Sequence, residues 1–396
     1  MVFFGNIYEK VYRYNIKFIA GGMKLLYLAT QINNIGGLSR IVIDKINWLV
    51  DRGYEVVLCD IEPIEIIPAY EVDKRVKLIK GNISTTPGNL FVRAKGVFLS
   101  IRKLYNIIKA ESPDIIVNVH CPLISWVLPF MHRRIPKVVE IHQSMEGLEV
   151  FNKQYLNRFA GWIHLRLTRF CYSLYDKFVV LTTDDQKAWN LPNCITIHNF
   201  TNLQPNEVAK DYKKKKQILL LTRLAPQKRI DLMIEIWSLL NKRFPDWTVL
   251  VLGEGQERAK LEKMVNEYLL NTCLFMPGET HDRKKIEATL QESSVLCLTS
   301  EYEGSALALL EAMHYKIPVM SYNILGISDS ITDCFNGFVV EPFGDINKYA
   351  EKLSGLLESE DLRETMGNNA AKILQQFSKM KVMPLWDNLF QELKKV

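Results

Sequence analysis

This chain has no C-x-x-C pair, no D-x-D, no H-E-x-x-H, no Walker lysine motif and no G-x-S-x-G. Redox dithiols, zincins, P-loop enzymes and serine-hydrolase elbows are therefore without their signatures. A metal-dependent nucleotide site lacks its paired aspartates. Cysteine is scarce and odd in number, at positions 59, 121, 171, 194, 273, 297 and 334, mostly inside apolar runs. That pattern predicts reduced, buried thiols in a cytoplasmic protein rather than a zinc site. Long apolar runs are missing too. The longest uncharged stretch lies between Asp114 and Arg133 and is broken by Asn118, His120, Pro122 and Pro129. It falls short of a membrane span and reads as a buried strand followed by a helix. The first 22 residues have no apolar core and no A-x-A site, so no secretory signal is expected there. Met23 opens the first strong strand pattern, so residues 1–22 are expected to be an N-terminal extension with Met23 as a candidate native start; a short peripheral anchor is the alternative.

What remains is ordinary globular composition: 396 residues, 48% apolar and 24% charged, enough for two or three domains without staples. Charge is uneven. Residues 1–210 hold 26 Lys and Arg against 18 Asp and Glu, whereas residues 211–396 hold 24 against 26. A basic first half suits an anionic partner: a membrane surface, a phosphorylated substrate or nucleic acid.

Short apolar runs alternate with helical patterns from Lys24 onward. Strands are expected at 25–29, 55–59, 76–79, 115–119, 138–141, 178–181 and 195–197. A polar stretch at 201–216, ending in four lysines, reads as a linker. A second series follows at 218–221, 248–252, 274–276, 295–298 and 319–320. Continuous apolar strands separated by helices predict parallel sheets covered on both faces. The expected architecture is two doubly wound domains facing a cleft, 23–205 and 206–380, with a final helix in 381–396. That helix, near 384–394, has the apolar stripe Leu385, Trp386, Leu389, Phe390 and Leu393, which must bury against another element.

Two stretches suggest chemistry. In SEYEGSALALLEAM (300–313) an apolar strand runs into Glu303 and Gly304, which are expected to open a helix. Its free N–H groups and positive dipole end would take a phosphate, with Gly304 admitting close approach. Glu303 and Glu311, eight residues apart, would share one side of that helix. Each carboxylate can accept two hydrogen bonds from a diol, so Glu311 suits a ribose and Glu303 a hexose. The plain alternatives are a capping Glu303 and a surface Glu311. In LLLTRLAPQKRIDLMIEIW (219–237) a strand delivers Arg223 and Lys228 into a turn. Two such cations would neutralise a diphosphate leaving group; a solvated basic turn is the alternative. Weaker signals are the paired glycines of NNIGGLSR (33–40), the Gly-rich turn after Leu252, and two histidines at strand ends, His120 and His142.

Together, S-x-x-E-G-x6-E-A-M (Ser300, Glu303, Gly304, Glu311, Ala312, Met313), R-L-x-x-Q-K (Arg223, Leu224, Gln227, Lys228) and L-G-x-G (Leu252, Gly253, Gly255) resemble the family 4 retaining glycosyltransferases of GT-B fold. The resemblance extends over nearly the whole chain from Met23. It implies that Glu311 holds the donor ribose and Glu303 faces the donor sugar. Arg223 and Lys228 would stabilise the departing diphosphate, helped by backbone at Gly304, Ser305 and Ala306. Gly36 and Gly37 would approach the diphosphate. His142 would stand near the donor sugar, with His120 and Asn199 as acceptor-side candidates, and the last helix would cross back to the first domain. The family is metal-independent, needs no cofactor beyond its nucleotide diphosphate sugar substrate, and more often uses UDP than GDP. Two departures stand out: Thr222 where the family usually has glycine, and Ser305 where it has a bulky apolar residue.

The implied reaction moves a hexose to a glycan or lipid-linked acceptor, with peripheral placement at the inner face of the membrane. Between Arg93 and Lys177 lie 13 basic and 6 acidic residues, preceded by Phe91 and interleaved with Phe98, Tyr105, Tyr155, Phe159, Trp162 and Phe170. That mixture suits an anionic bilayer or, equally, ordinary solvated helices. Nucleic acid is disfavoured, since no recognised binding module occurs. Competing readings are a GT-B-like sugar-nucleotide epimerase or phosphorylase, and a two-lobed scaffold that binds nucleotide sugar without catalysis.

Overall fold

The computed structural model describes residues 22–30, 32–34, 36–62, 67–83, 90–119, 121–203, 213–280 and 282–395. The expected N-terminal extension, the division at residue 205 and His120 lie outside them.

The apolar runs form two all-parallel sheets. The first holds β1 (Lys24–Ala29), β2 (Glu55–Asp60), β3 (Lys77–Lys80), β4 (Ile115–Val119), β5 (Lys137–Glu140), β6 (Lys177–Val180) and β7 (Cys194–Thr196), in the order β3-β2-β1-β4-β5-β6-β7. The second holds β8 (Gln217–Leu221), β9 (Thr248–Leu252), β10 (Leu274–Gly278), β11 (Val295–Leu298), β12 (Val319–Tyr322) and β13 (Gly337–Val340), in the order β10-β9-β8-β11-β12-β13. Central strands such as β4 and β11 are buried along their whole length, as sheets with helices on both faces require. The strand β13 is an addition to those expected from sequence.

Each sheet reverses direction of growth once, between β1 and β4 and between β8 and β11. At such switch points neighbouring loops diverge and leave a crevice beyond the strands' carboxyl ends. The helix Gly37–Asp51 (α1) follows β1 and covers one face of the first sheet with Ile41, Ile43, Ile46 and Leu49. The opposite face is covered by Leu90–Glu111 (α2) and by Arg158–Ser173 (α4), which follows Met145–Tyr155 (α3). The Asn157 side chain accepts from the Ala160 N–H and caps α4.

The last helix, Lys379–Lys394 (α7), begins earlier than expected and carries Pro384 within its second turn. Its Val382, Met383, Trp386, Leu389, Phe390 and Leu393 belong to the first domain's core, beside α1 and β4. The chain therefore crosses back after completing the second sheet. Thr201 pairs with Ser378 where the outgoing and returning segments pass. All seven cysteines are free, five of them buried.

Candidate active site

The loops after β1, β8 and β11 leave the two switch points, and they carry most of the residues singled out in the sequence. The loop after β8 and the loop after β11 are stapled together: Glu301 N–H donates to the Gln227 carbonyl at 2.8 Å, and Thr299 Oγ1 to the Lys228 carbonyl at 2.9 Å. This pairing brings Lys228 to Glu303, Nζ lying 2.6 and 2.8 Å from the two carboxylate oxygens. The Ser300 hydroxyl donates to Glu303 Oε1 at 2.6 Å. Arg223, on the same turn, is exposed and has no ion-pair partner among the described residues. The turn itself is packed on the L-G-x-G segment: a Cβ on Gly253 would lie 1.8 Å from the Thr222 carbonyl oxygen, and one on Gly255 2.3 Å from that of Leu224. Those glycines permit the close approach of the backbone that presents Arg223.

The helix expected to open at Glu303 begins instead at Leu307 (α6, Leu307–His314), with Ala306 as its N-cap. Glu303 and Glu311 are therefore not stacked on one helix face. Glu303 stands in the preceding loop because its carboxylate is bound to Lys228 and Ser300 rather than to the backbone of the first turn. Neither plain alternative holds: Glu303 is no cap, and Glu311 is buried. Ala306 supplies no side-chain cap, so the first N–H groups of α6 are left for a ligand or solvent.

Glu311 Oε1 accepts from two arginines, Arg40 and Arg283, each Nη1 at 2.6 Å. Arg283 opens the helix Arg283–Glu292 (α5) of the second domain; Arg40 comes from the first turn of α1, four residues after Gly36. At the paired glycines, a Cβ on Gly37 would touch the Leu307 side chain at 3.0 Å, while one on Gly36 would meet open space. Arg40, Glu311, Leu307 and Thr201 share one small hollow.

His142 follows β5 and is brought to the loop after β11. A Cβ on Gly304 would fall 1.8 Å from the His142 carbonyl oxygen, so the two backbones are in direct contact. The ring's Nε2 lies 2.9 Å from Glu140 Oε1, and Lys45 Nζ binds the same oxygen. Burial disfavours charge on both Lys45 and Glu140. It lowers the lysine's pKa, but in Glu140 it is outweighed by Lys45 and His142, which hold the carboxyl well below its usual range. Asn199 is buried just before the crossing at Thr201. Sequence reasoning missed Arg40, Arg283, Glu140 and Lys45 as site residues. Among the described residues no group of three or more His, Cys, Asp or Glu side chains converges as a metal site.

Two facing parallel-sheet domains, bridged by a returning helix and lined by switch-point loops, define the GT-B class. Residues 35–204 match the model of Glycosyltransferase Family 4, and residues 204–373 that of Glycosyl transferases group 1. The chain belongs to this family of glycosyltransferases. An uncharacterized glycosyltransferase of Haemophilus influenzae is 25% identical over 373 residues, 92% of this chain and 99% of that one. The amylovoran biosynthesis glycosyltransferase AmsD of Erwinia amylovora is 24% identical over 376 residues, with the same shares. The fold matches a structure of S. aureus TarM in complex with Fondaparinux, alpha-GlcNAc-glycerol and UDP, with TM-score 0.75, 17% identity, and 93% and 99% of the two chains covered.

Proposed function

We propose that this glycosyltransferase moves a hexose from a nucleotide diphosphate sugar, with UDP favoured, to a glycan or lipid-linked saccharide in surface polysaccharide biosynthesis, retaining the anomeric configuration. The observation that carries this reading is that Arg223, the Lys228–Glu303 pair and the uncapped start of α6 stand on the loops after β8 and β11, at the second sheet's switch point, with Glu311 on α6 itself. In the reaction the anomeric C–O bond to the diphosphate breaks and a bond to the acceptor oxygen forms on the same face of the sugar. The acceptor's proton leaves with the nucleotide. Arg223, Lys228 and the backbone at Gly304, Ser305 and Ala306 meet the charge developing on the diphosphate, which preorganised donors stabilise without a metal. Glu303 faces the donor sugar, Glu311 the ribose, and Gly36 and Gly37 the diphosphate. His142 stands beside the sugar, with Asn199 and His120 on the acceptor side. UDP is favoured because the structurally similar TarM holds UDP, and polysaccharide biosynthesis because AmsD serves it.

We place the enzyme in the cytoplasm, docked peripherally on the anionic inner face of the membrane. No described helix is long and apolar enough to cross a membrane. What supports docking is α4, whose exposed side carries Phe159, Trp162, Arg166 and Phe170 at helical spacing. Phe98, Tyr105 and Phe130 are exposed on neighbouring elements of the same sheet face; the Phe91 side chain lies outside the described residues.

Calorimetry with UDP and GDP, without added metal, on wild type and Glu311→Ala tests the reading. UDP binding that disappears in the variant supports it. GDP binding instead redirects the donor to mannose or fucose nucleotides, and binding of neither overturns the nucleotide-sugar assignment itself.

A further inference from the structure

Lys45 and Glu140 are each about 1% exposed, and they face each other inside the first domain. A buried ion pair is a poor source of stability: taking two charges out of water costs about what their attraction returns, and apolar replacements are often neutral or better. The position of this pair points to another use. Glu140 ends β5, and on an extended chain residues two apart share a face, so its carboxylate reaches the ring of His142. Lys45 is on α1, below the paired-glycine turn, and its Nζ stands 3.8 Å from the ring centroid of Trp386 on the crossover helix. Both donors converge on Glu140 Oε1, while Oε2 has no hydrogen-bond partner among the described residues.

We propose that Glu140 is a positioning residue for His142: anchored by Lys45, it holds the ring's Nε2–H and so fixes both orientation and tautomer, making Nδ1 the acceptor nitrogen. A carboxylate that already binds a lysine is ionised and can only accept, so the nitrogen facing it must carry its hydrogen. A neutral imidazole has one N–H, and Nδ1 is then bare. The order Trp386, Lys45, Glu140, His142 thereby links the crossover helix to the cleft. This inference rests on the reading that places His142 beside the donor sugar.

Three variants test it, with the UDP-sugar identified by a donor panel. Glu140→Gln keeps an acceptor oxygen but removes its charge. Lys45→Met with Glu140→Leu removes the acceptor while leaving the interior neutral, so it folds even if the single variant does not. His142→Ala tests the histidine itself. The expected result is a melting midpoint for the double variant within a few degrees of wild type, with kcat reduced roughly tenfold to a hundredfold and donor KM changed less than about threefold. Glu140→Gln falls between the double variant and wild type. Proton NMR should show a slowly exchanging, low-field imidazole N–H in wild type that disappears in His142→Ala and in the double variant. A folded double variant with wild-type kcat overturns the positioning role, as does a wild-type spectrum without that resonance. If His142→Ala loses activity while the double variant does not, the functional reading stands and this inference falls. If His142→Ala is fully active, the histidine's place in the reaction falls and the inference with it.

Discussion

A methyl group on Gly304 would sit 1.8 Å from the carbonyl oxygen of His142, far inside van der Waals contact. The second domain thus touches the first, backbone to backbone, beside the proposed donor site. Neither residue belongs to a hydrophobic core, so alanine at 304 can be accommodated by moving the domains apart. Gly304→Ala is expected to lower kcat by about a hundredfold, the cost of misplacing reacting groups by about an ångström, while the melting midpoint changes by only a few degrees. Steady-state kinetics beside a thermal melt checks this; wild-type turnover would mean the contact is dispensable.

Arg223 and Lys228 differ in how they are held. Lys228 is already paired with Glu303, whereas Arg223 is exposed and has no ion-pair partner among the described residues. On the proposed function, alanine at either position removes a donor to the leaving group, which typically costs ~2.7–4 kcal/mol or roughly a hundred- to a thousandfold in turnover. Lys228→Ala has a second consequence, because among the described residues Glu303 then keeps the Ser300 hydroxyl alone. Donor kinetics should therefore show Lys228→Ala impaired at least as much as Arg223→Ala. Near-wild-type activity in both removes the diphosphate assignment.

Asp185 provides a pH-dependent prediction. Its carboxylate is 3% exposed and accepts the Met145 N–H at 2.8 Å. Burial, with a smaller contribution from Glu146, pushes it up to about 6. An unfolded aspartate titrates near 3.9, so between those values the native state holds more protons than the unfolded one. The stability this group contributes is therefore present at low pH and is lost as pH rises toward and through about 6. Asp185→Asn cannot ionise. Denaturation at pH 4.5 and 7.5 should show the variant gaining about 2 kcal/mol relative to wild type across that interval. A constant or shrinking difference contradicts the assignment.

The exposed face of α4 predicts salt-sensitive vesicle binding. Phe159 and Trp162 are 70% and 55% exposed, and Arg166 lies over the Trp162 ring at 5.3 Å. Aromatic side chains among arginines bind an anionic interface partly through charge, which salt screens. Flotation with phosphatidylglycerol vesicles should carry the wild type at low salt and less of it at high salt, and the Phe159→Ser, Trp162→Ser variant should stay behind. Equal recovery of the variant, or no binding at any salt, removes the membrane docking.

The local pattern of the sequence locates twelve of the thirteen strands, most of them as short apolar runs set between helices. The strand β13, GFVV, escapes it: it is short, starts with glycine and forms the sheet's edge with Phe338 and Val339 half-buried. Glu303, Glu311, Arg223 and Lys228 are legible because motif spacing is local. Their partners are not. Arg40 and Glu311 are 271 residues apart in sequence, and Lys45 and Glu140 95 apart. No periodicity connects such positions; topology does, by setting two switch points face to face for the first pair and by packing α1 on the first sheet for the second. The start of α6 was misplaced for a related reason. The strand running into Glu303 and Gly304 suggests a helix start there, but Lys228, 75 residues away in sequence, binds the carboxylate.

Trp386 tests the crossover. It follows the second domain in sequence, yet its ring is 1% exposed within the first domain's core and covers Lys45 at 3.8 Å. Truncating a buried tryptophan removes its transfer free energy and leaves a cavity, about 3–5 kcal/mol together. Here the loss should fall on the first domain, because α7 packs on α1 and β4 and none of its residues is among the described members of the second core. Hydrogen exchange on Trp386→Ala should therefore show weakened protection in β1 and β4 and unchanged protection in β8 and β11. If protection fell equally in both sheets, the helix would be bracing the whole molecule rather than completing one domain. If neither sheet changed, the packing of α7 would be incidental. Weakening of the first sheet alone means that the chain must pass through both domains before either the first core or the base beneath His142 is finished.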